Sequence, residues 1–333
     1  MTAMPEHLSF ADYDFDCTPD QIEAIYRSGF PGSVRGEAYR VLLASQAVPF
    51  YDAFPLARAS GAGRVSLPYR ALMALDPDGP AVKGEAQRQG DCVGKCVRNA
   101  GSLDYAIDSL FGETTWRGRL CDENIYGMRG HGGEGADCGR LCHYVSPEGA
   151  GGFLPRGSYA GPDGGTIDLS IYSPGLSGSW GRRGTPAWLN AQAAANKALR
   201  VYPVRSSDEA RDAVASGFGL VRCGSDGYSS TRNQDGVSDP DGVWHHAIAI
   251  MAVDDTQWAH DQYGGPLWLH WHNWGKWNSG GKRHEQPDGT WWVRSRFFTR
   301  WISDGSVWAV ASVRGYEREL VYDTCPQIRQ LSS

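Results

Sequence analysis

Gln87-Arg88-Gln89-Gly90-Asp91-Cys92-Val93-Gly94-Lys95-Cys96 is the stretch on which the reading of this chain turns, because of two motifs far downstream. These are Gly242-Val243-Trp244-His245-His246-Ala247-Ile248 and His272-Asn273-Trp274-Gly275. A cysteine that follows a glycine turn and opens a helix puts its sulfur at the positive end of the helix dipole, which favours thiolate. A histidine that begins an apolar strand can take the thiol proton, and a polar group held by a Trp-Gly turn can orient the imidazole. From Cys92 onward, Val93, Cys96, Val97, Ala100, Leu103, Ile107 and Leu110 keep helical spacing. That periodicity predicts a helix starting at Cys92.

On the N-terminal side, residues 1–82 read as an extension with helices. Thr18-Pro19 is an N-cap followed by proline at the first helical position, and residues 35–48 form a second helical candidate. Residues 55–80 show no period and are expected to wrap over the domain that follows. On the C-terminal side, residues 112–184 are glycine-rich and predict ordered loops with a few short helices. Thr185-Pro186 predicts a helix running to about Ala198. Ser206 to Glu209 fits a capping box for a helix ending at Gly217. Strands are expected over 201–204, 218–223, 243–253, 267–272, 290–294 and 307–313. A helical first half and an antiparallel β second half make an α+β protein with its site between the halves. The tryptophans clustered between 244 and 308 lie in alternating runs and are expected to be core.

Composition narrows the class. The 333 residues are 41% hydrophobic and 21% charged, with a net charge of −6. No basic run is present, which argues against nucleic acid as a partner. The start of the chain has no basic segment followed by an apolar one, so no signal peptide is expected. No apolar stretch approaches the ~20 residues of a membrane span. The expectation is a cytoplasmic product whose eight cysteines are thiols, with disulfides only if the mature protein ends up outside the cell. Cys92 with Cys96, and Cys138 with Cys142 and His143, are spaced for a helix face. Structural zinc sites more often use two-residue gaps, so neither a metal nor a cofactor is expected. Asp235-Gly236, Asp239-Pro240-Asp241-Gly242 and Asp254-Asp255 read as turns.

Over residues 83–315 the chain resembles the papain-like cysteine peptidases, and more narrowly a divergent group found in tailed phages and some bacteria. The matching residues are Gln87, Gly90-Asp91-Cys92-Val93, Gly242-Val243-Trp244-His245-His246 and Trp274-Gly275. Asp168-Leu169-Ser170-Ile171-Tyr172-Ser173 and Trp180-Gly181-Arg182-Arg183-Gly184-Thr185-Pro186 fit the middle in style. The resemblance implies a papain-like domain over 83–333, made of a helical and glycine-rich half (83–200), a β half (201–315) and a C-terminal tail (316–333).

The resemblance also implies roles. Cys92 is the nucleophile, although matching Gln89-Gly90-Asp91-Cys92 to the family's Gln-Gly-Ser-Cys favours Cys96 instead. His246 is the base; its neighbour His245 must face the other side of the strand. Gln87, with Gln89 as the alternative, donates to the oxyanion alongside the Cys92 backbone N–H. The third member departs from the family pattern, with His272 at the orienting position and Asn273 where serine is usual, whereas a one-residue deletion would restore Asn273 as the third member. The implied function is a cysteine-type hydrolase acting on peptide or protein substrates through a thioester, and phage-encoded. The rival is a virion structural protein of head or tail that keeps the fold with little activity and has other virion proteins as partners. A cell-wall amidase shares the chemistry but not the substrate.

Overall fold

The computed structural model describes residues 50–77, 79, 85–112, 114–198 and 200–311. The helices expected over 18–25 and 35–48, and the tail over 316–333, lie outside those residues. The chain enters through α1 (Phe50–Ala53), β1 (Val65–Ser66) and α2 (Tyr69–Leu75). This segment does wrap over the rest: Phe50 and Ala57 sit in one core cluster with Tyr202 and Phe218, and β1 pairs with the strand that carries His246.

α3 (Cys92–Leu110) starts where the spacing predicts. It is followed by α4 (Glu123–Tyr126), α5 (Cys138–Val145), a hairpin of β2 (Ser158–Ala160) and β3 (Thr166–Asp168), α6 (Pro174–Arg183) and α7 (Ala187–Ala193). The glycine-rich middle is thus more regular than short helices and loops alone. α3 lies between the helical layer and the sheet and is buried all round. Its charged side chains are therefore paired inside the protein. Arg98 Nη2 is 2.7 Å and Lys95 Nζ 3.1 Å from Glu85 Oε2, and Arg156 reaches Asp122 and Glu123 at 2.8 and 2.7 Å.

The second half contains β4 (Arg200–Pro203), α8 (Ser207–Ala215), β5 (Gly219–Tyr228), β6 (Thr231–Arg232) and β7 (Pro240–Asp254). After these come α9 (Gln257–Tyr263), β8 (Leu267–Trp271), β9 (Ser279–Gly280), β10 (Thr290–Arg294), α10 (Ser295–Ser303) and β11 (Val307–Ala311). Six strands run in the order β10-β8-β7-β5-β11-β4, every pairing antiparallel, and β1 adds to β7. The sheet separates two cores. Ala247, Ala249 and Met251 of β7 meet α3, whereas Trp244, Ile248 and Ile250 belong to the aromatic core on the other face. Small residues let α3 approach closely: a Cβ added at Gly219 would stand 2.5 Å from the Ala100 Cα. Trp268, Trp291, Trp292, Trp301 and Trp308 are fully buried, as their alternating runs predict. Ser206 Oγ accepts the Glu209 N–H at the start of α8, as the capping signal requires.

One expectation is overturned. Cys138, at the start of α5, is disulfide-bonded to Cys223 of β5, with their Cα atoms 6.3 Å apart. Packing the first turn of α5 against β5 brings the two within bonding range, which spacing along the chain does not reveal. Such a bond persists in oxidising surroundings, so it argues against a chain of eight cytoplasmic thiols. It closes a loop with a sequence separation of 85, for which chain-entropy arguments give about 4–5 kcal/mol of stabilisation. Replacing Cys138 and Cys223 together by alanine should therefore lower the denaturation free energy by about that amount. Coincident denaturant curves for the variant and the parent chain would show that the bond contributes nothing.

Candidate active site

The site forms where β8 ends and β7 runs on. Pairing between them stops at Ala249 with Trp271, and the chain then turns through His272-Asn273-Trp274-Gly275, with Gly275 in the left-handed region at φ 65°. On the opposite edge Ala247 faces Cys223, whose own N–H goes to the Ser306 carbonyl in the next loop. By the alternation of antiparallel pairing, the Ala247 N–H therefore points to the open edge that β8 has vacated. That N–H lowers the pKa of the Cys92 thiol, and Cys92 and Ala247 lie in the same core cluster.

His246 points to the aromatic side of β7. Its ring lies 4.5 Å from the His272 ring and 4.8 Å from the Trp274 ring, centroid to centroid, and Trp274 covers His272 at 3.8 Å. His245 is half-buried and sits in the register shift of β7 against β5 between Val243 and His246. Asn273 turns toward the helical half, where its Oδ1 accepts from Asn99 Nδ2 at 3.0 Å. Of the two third-member candidates, His272 is therefore the one beside His246. Gln87 ties the halves together: its N–H donates to the Asn273 carbonyl at 2.7 Å, and Ala86 bridges to Trp274. The Gln87 side-chain amide donates to the Gln89 carbonyl at 3.0 Å. Cys96 lies one turn into α3 and is fully buried, which pushes its thiol up.

Burial dominates the electrostatics. Cys92 and His246 are 2% and 3% exposed. Loss of solvent pushes the Cys92 thiol up to about 12, against smaller downward pulls from backbone N–H groups. The same loss, with the Arg222 guanidinium adding to it, brings His246 down to about 3. The resting pair is a neutral thiol and a neutral imidazole. This corrects the expectation of a thiolate favoured by the helix dipole: removal from water costs the charged forms more than the dipole returns. Burial also holds His270 and His272 well below the ordinary histidine range.

Two features escaped the sequence reading. Asp91, at the N-cap of α3, is fully buried and accepts from Tyr172 Oη and Ser177 Oγ, both at 2.7 Å. Asp91 stands in the matched Gly90-Asp91-Cys92-Val93 run, and the Tyr172-Ser173 motif was the only signal for its partners. His270, in a cage of Tyr228, Trp291 and Trp301, had none beyond strand alternation. Among the described residues no cluster of histidine, cysteine and carboxylates is arranged to hold a metal ion.

No family model matches the chain, and no curated protein matches it in sequence. Among solved structures it is similar to xylellain, a cysteine protease from Xylella fastidiosa, at 17% identity and TM-score 0.45, covering 71% of this chain and 85% of that one. It is also similar to digestive procathepsin L 3 of Tenebrio molitor larval midgut, at 12% identity and TM-score 0.39, covering 88% and 97%. A third is the cysteine protease and lectin-like domains of Cwp84, a surface layer associated protein of Clostridium difficile, at 17% and 0.43, covering 73% and 52%. Likenesses this distant carry no residue roles with them.

Proposed function

We propose that the protein is a cysteine-type hydrolase that cleaves peptide or amide bonds through a thioester, with Cys92 as nucleophile. The observation that carries this reading is that Cys92, at the start of α3, shares a core cluster with Ala247, the residue after a histidine that is itself packed on His272 and Trp274. His246 takes the thiol proton as the sulfur attacks the substrate carbonyl carbon. The negative oxygen that results is met by the Cys92 backbone N–H and by the Gln87 amide once that amide leaves the Gln89 carbonyl. Collapse expels the amine, which takes the proton from His246, and water then hydrolyses the thioester with His246 again as base. His272 is the orienting group, and Trp274 shields it.

Burial requires a conformational step before chemistry. Substrate must part the 86–89 segment from the 272–275 turn, and admitting polar groups then lowers the cost of the thiolate–imidazolium pair. A second reading has its own support. The neutral, buried resting pair and a histidine in place of an amide-bearing third residue suit a phage virion protein that keeps the fold with little activity.

Incubation with an activated peptide ester followed by peptide mapping separates the two. The hydrolase reading expects an acyl adduct on Cys92 that disappears with time. An adduct on Cys96 would move the nucleophile one turn along α3. No adduct on either cysteine, with the chain folded, would favour the structural protein.

A further inference from the structure

The residue before the candidate nucleophile is built into the protein with unusual care. Asp91 is fully buried, and its Oδ2 is gripped by Tyr172 and Ser177, which come from the segment leading into α6 and from α6 itself. Tyr172 is held in turn: its hydroxyl accepts the Arg88 N–H at 3.1 Å, and the Lys95 ammonium sits 3.2 Å from its ring centroid. The other carboxylate oxygen, Oδ1, has no hydrogen-bond partner among the described residues. Asp91 and Cys92 are therefore adjacent ionisable groups at the N-terminus of α3, where a charge on one disfavours a charge on the other.

We propose that Asp91 is a positioning residue for Cys92: it clamps the 172–177 segment to the start of α3, and its negative charge restrains ionisation of the neighbouring thiol until that charge is neutralised. The proposal rests on Cys92 being the reactive cysteine of the hydrolase reading. The groups that face Asp91 are few and known. Lys95 from α3 favours its charge, as do the Tyr172 and Ser177 hydroxyls, while Asp122 beside α4 opposes it. Glu134 also lies close, accepting the Gly90 N–H at 2.6 Å. Burial is the largest influence and brings the carboxyl up to about 7, so it gains and loses its proton near neutrality. The Asp91 charge in turn raises the Cys92 thiol.

The test is iodoacetamide labelling of the full chain, read cysteine by cysteine by mass spectrometry between about pH 6 and 10. Asp91→Asn keeps the size and an acceptor oxygen but removes the charge. It should label Cys92 about 3- to 10-fold faster at a given pH above about 7, where the parent's Asp91 is charged. Cys96, Cys121 and Cys142, which are also buried, should keep their rates. Coincident Cys92 profiles for the parent and D91N would overturn the proposal.

If D91N loosens the fold, all four cysteines will accelerate together, and Tyr172→Phe then decides. Losing one donor makes the Asp91 carboxyl easier to protonate, so Cys92 alone should label faster near neutral pH. An unchanged or uniform response in Y172F would overturn the proposal. Failure of the hydrolase reading is distinguishable. A chain that turns over no peptide yet shows the Asp91 effect on Cys92 loses its proposed activity and keeps this inference.

Discussion

Acidification below about pH 6.5 is expected to destabilise this protein steeply, because three buried histidines must stay neutral for it to fold. His246 is brought down to about 3, and His270 and His272 well below the ordinary range, each chiefly by burial. A histidine with a depressed folded value binds fewer protons in the native state than in the unfolded chain. Its contribution is therefore intact above the unfolded value of about 6.5 and is lost as the pH falls toward the folded one. Each such group contributes a slope of about 1.4 kcal/mol per pH unit within its window. Asp91 acts the other way: its carboxyl is raised to about 7, so folding gains as the pH falls from there toward the ordinary carboxylate range. The Glu85 and Glu123 shifts run in opposite directions and oppose each other.

A net slope of about 2–3 kcal/mol per unit remains below pH 6, enough to consume a typical domain's stability within a few units. Urea denaturation at a series of pH values measures it directly. His270→Phe, which puts an apolar ring in the aromatic cage, should flatten the slope by one histidine's share. A denaturation free energy that is level from about pH 6.5 to 4.5 would mean that these imidazoles are solvated and that the buried site is wrongly described.

The second large effect concerns hydrolysis. On the proposed hydrolase reading, replacing Cys92 by alanine should lower turnover of a peptide or activated ester at least about 10⁴-fold, since that reading forms the acyl intermediate on the Cys92 sulfur. His246→Ala should fall comparably, because the neutral thiol of the resting site needs a base at the moment of attack. Cys96→Ala and His245→Ala should retain hydrolysis. Cys96 is fully buried one turn into α3, and His245 is half-buried beside the ring contacts that hold His246 on His272 and Trp274 rather than part of them. His272→Ala should cost less, about 10²-fold, as the loss of an orienting group. Rates for the purified variants, compared at equal folded fraction, check the whole pattern. Full turnover by C92A together with loss in C96A would transfer the nucleophile to Cys96.

The elements of the fold were legible because each depends on local order. The apolar spacing after Cys92 can only be buried as a helix, and α3 begins at that residue. The alternation around Trp291 and Trp308 can only be buried as strands, and β10 and β11 lie there. Pro240-Asp241-Gly242 reads as a turn, yet β7 extends through it, because pairing with β5 continues across two register shifts to Pro240. That pairing is a long-range fact, and no local pattern encodes it.

The site divides along the same line. Sequence by itself determined which residues are chemically able to act: a cysteine at a helix start, a histidine within an apolar strand, and a polar pair before a Trp-Gly turn. Only the tertiary structure decided which of that pair lies beside His246, since His272 and Asn273 alternate about a turn whose direction depends on where β8 stops. It also decided that Cys138 meets Cys223, through the docking of α5 on β5. The state of the thiol was decided there as well. Helix position argues for a thiolate and solvent exclusion argues against it, and exclusion is created by every element packed around the sulfur, so no reading of residues along the chain could weigh the two.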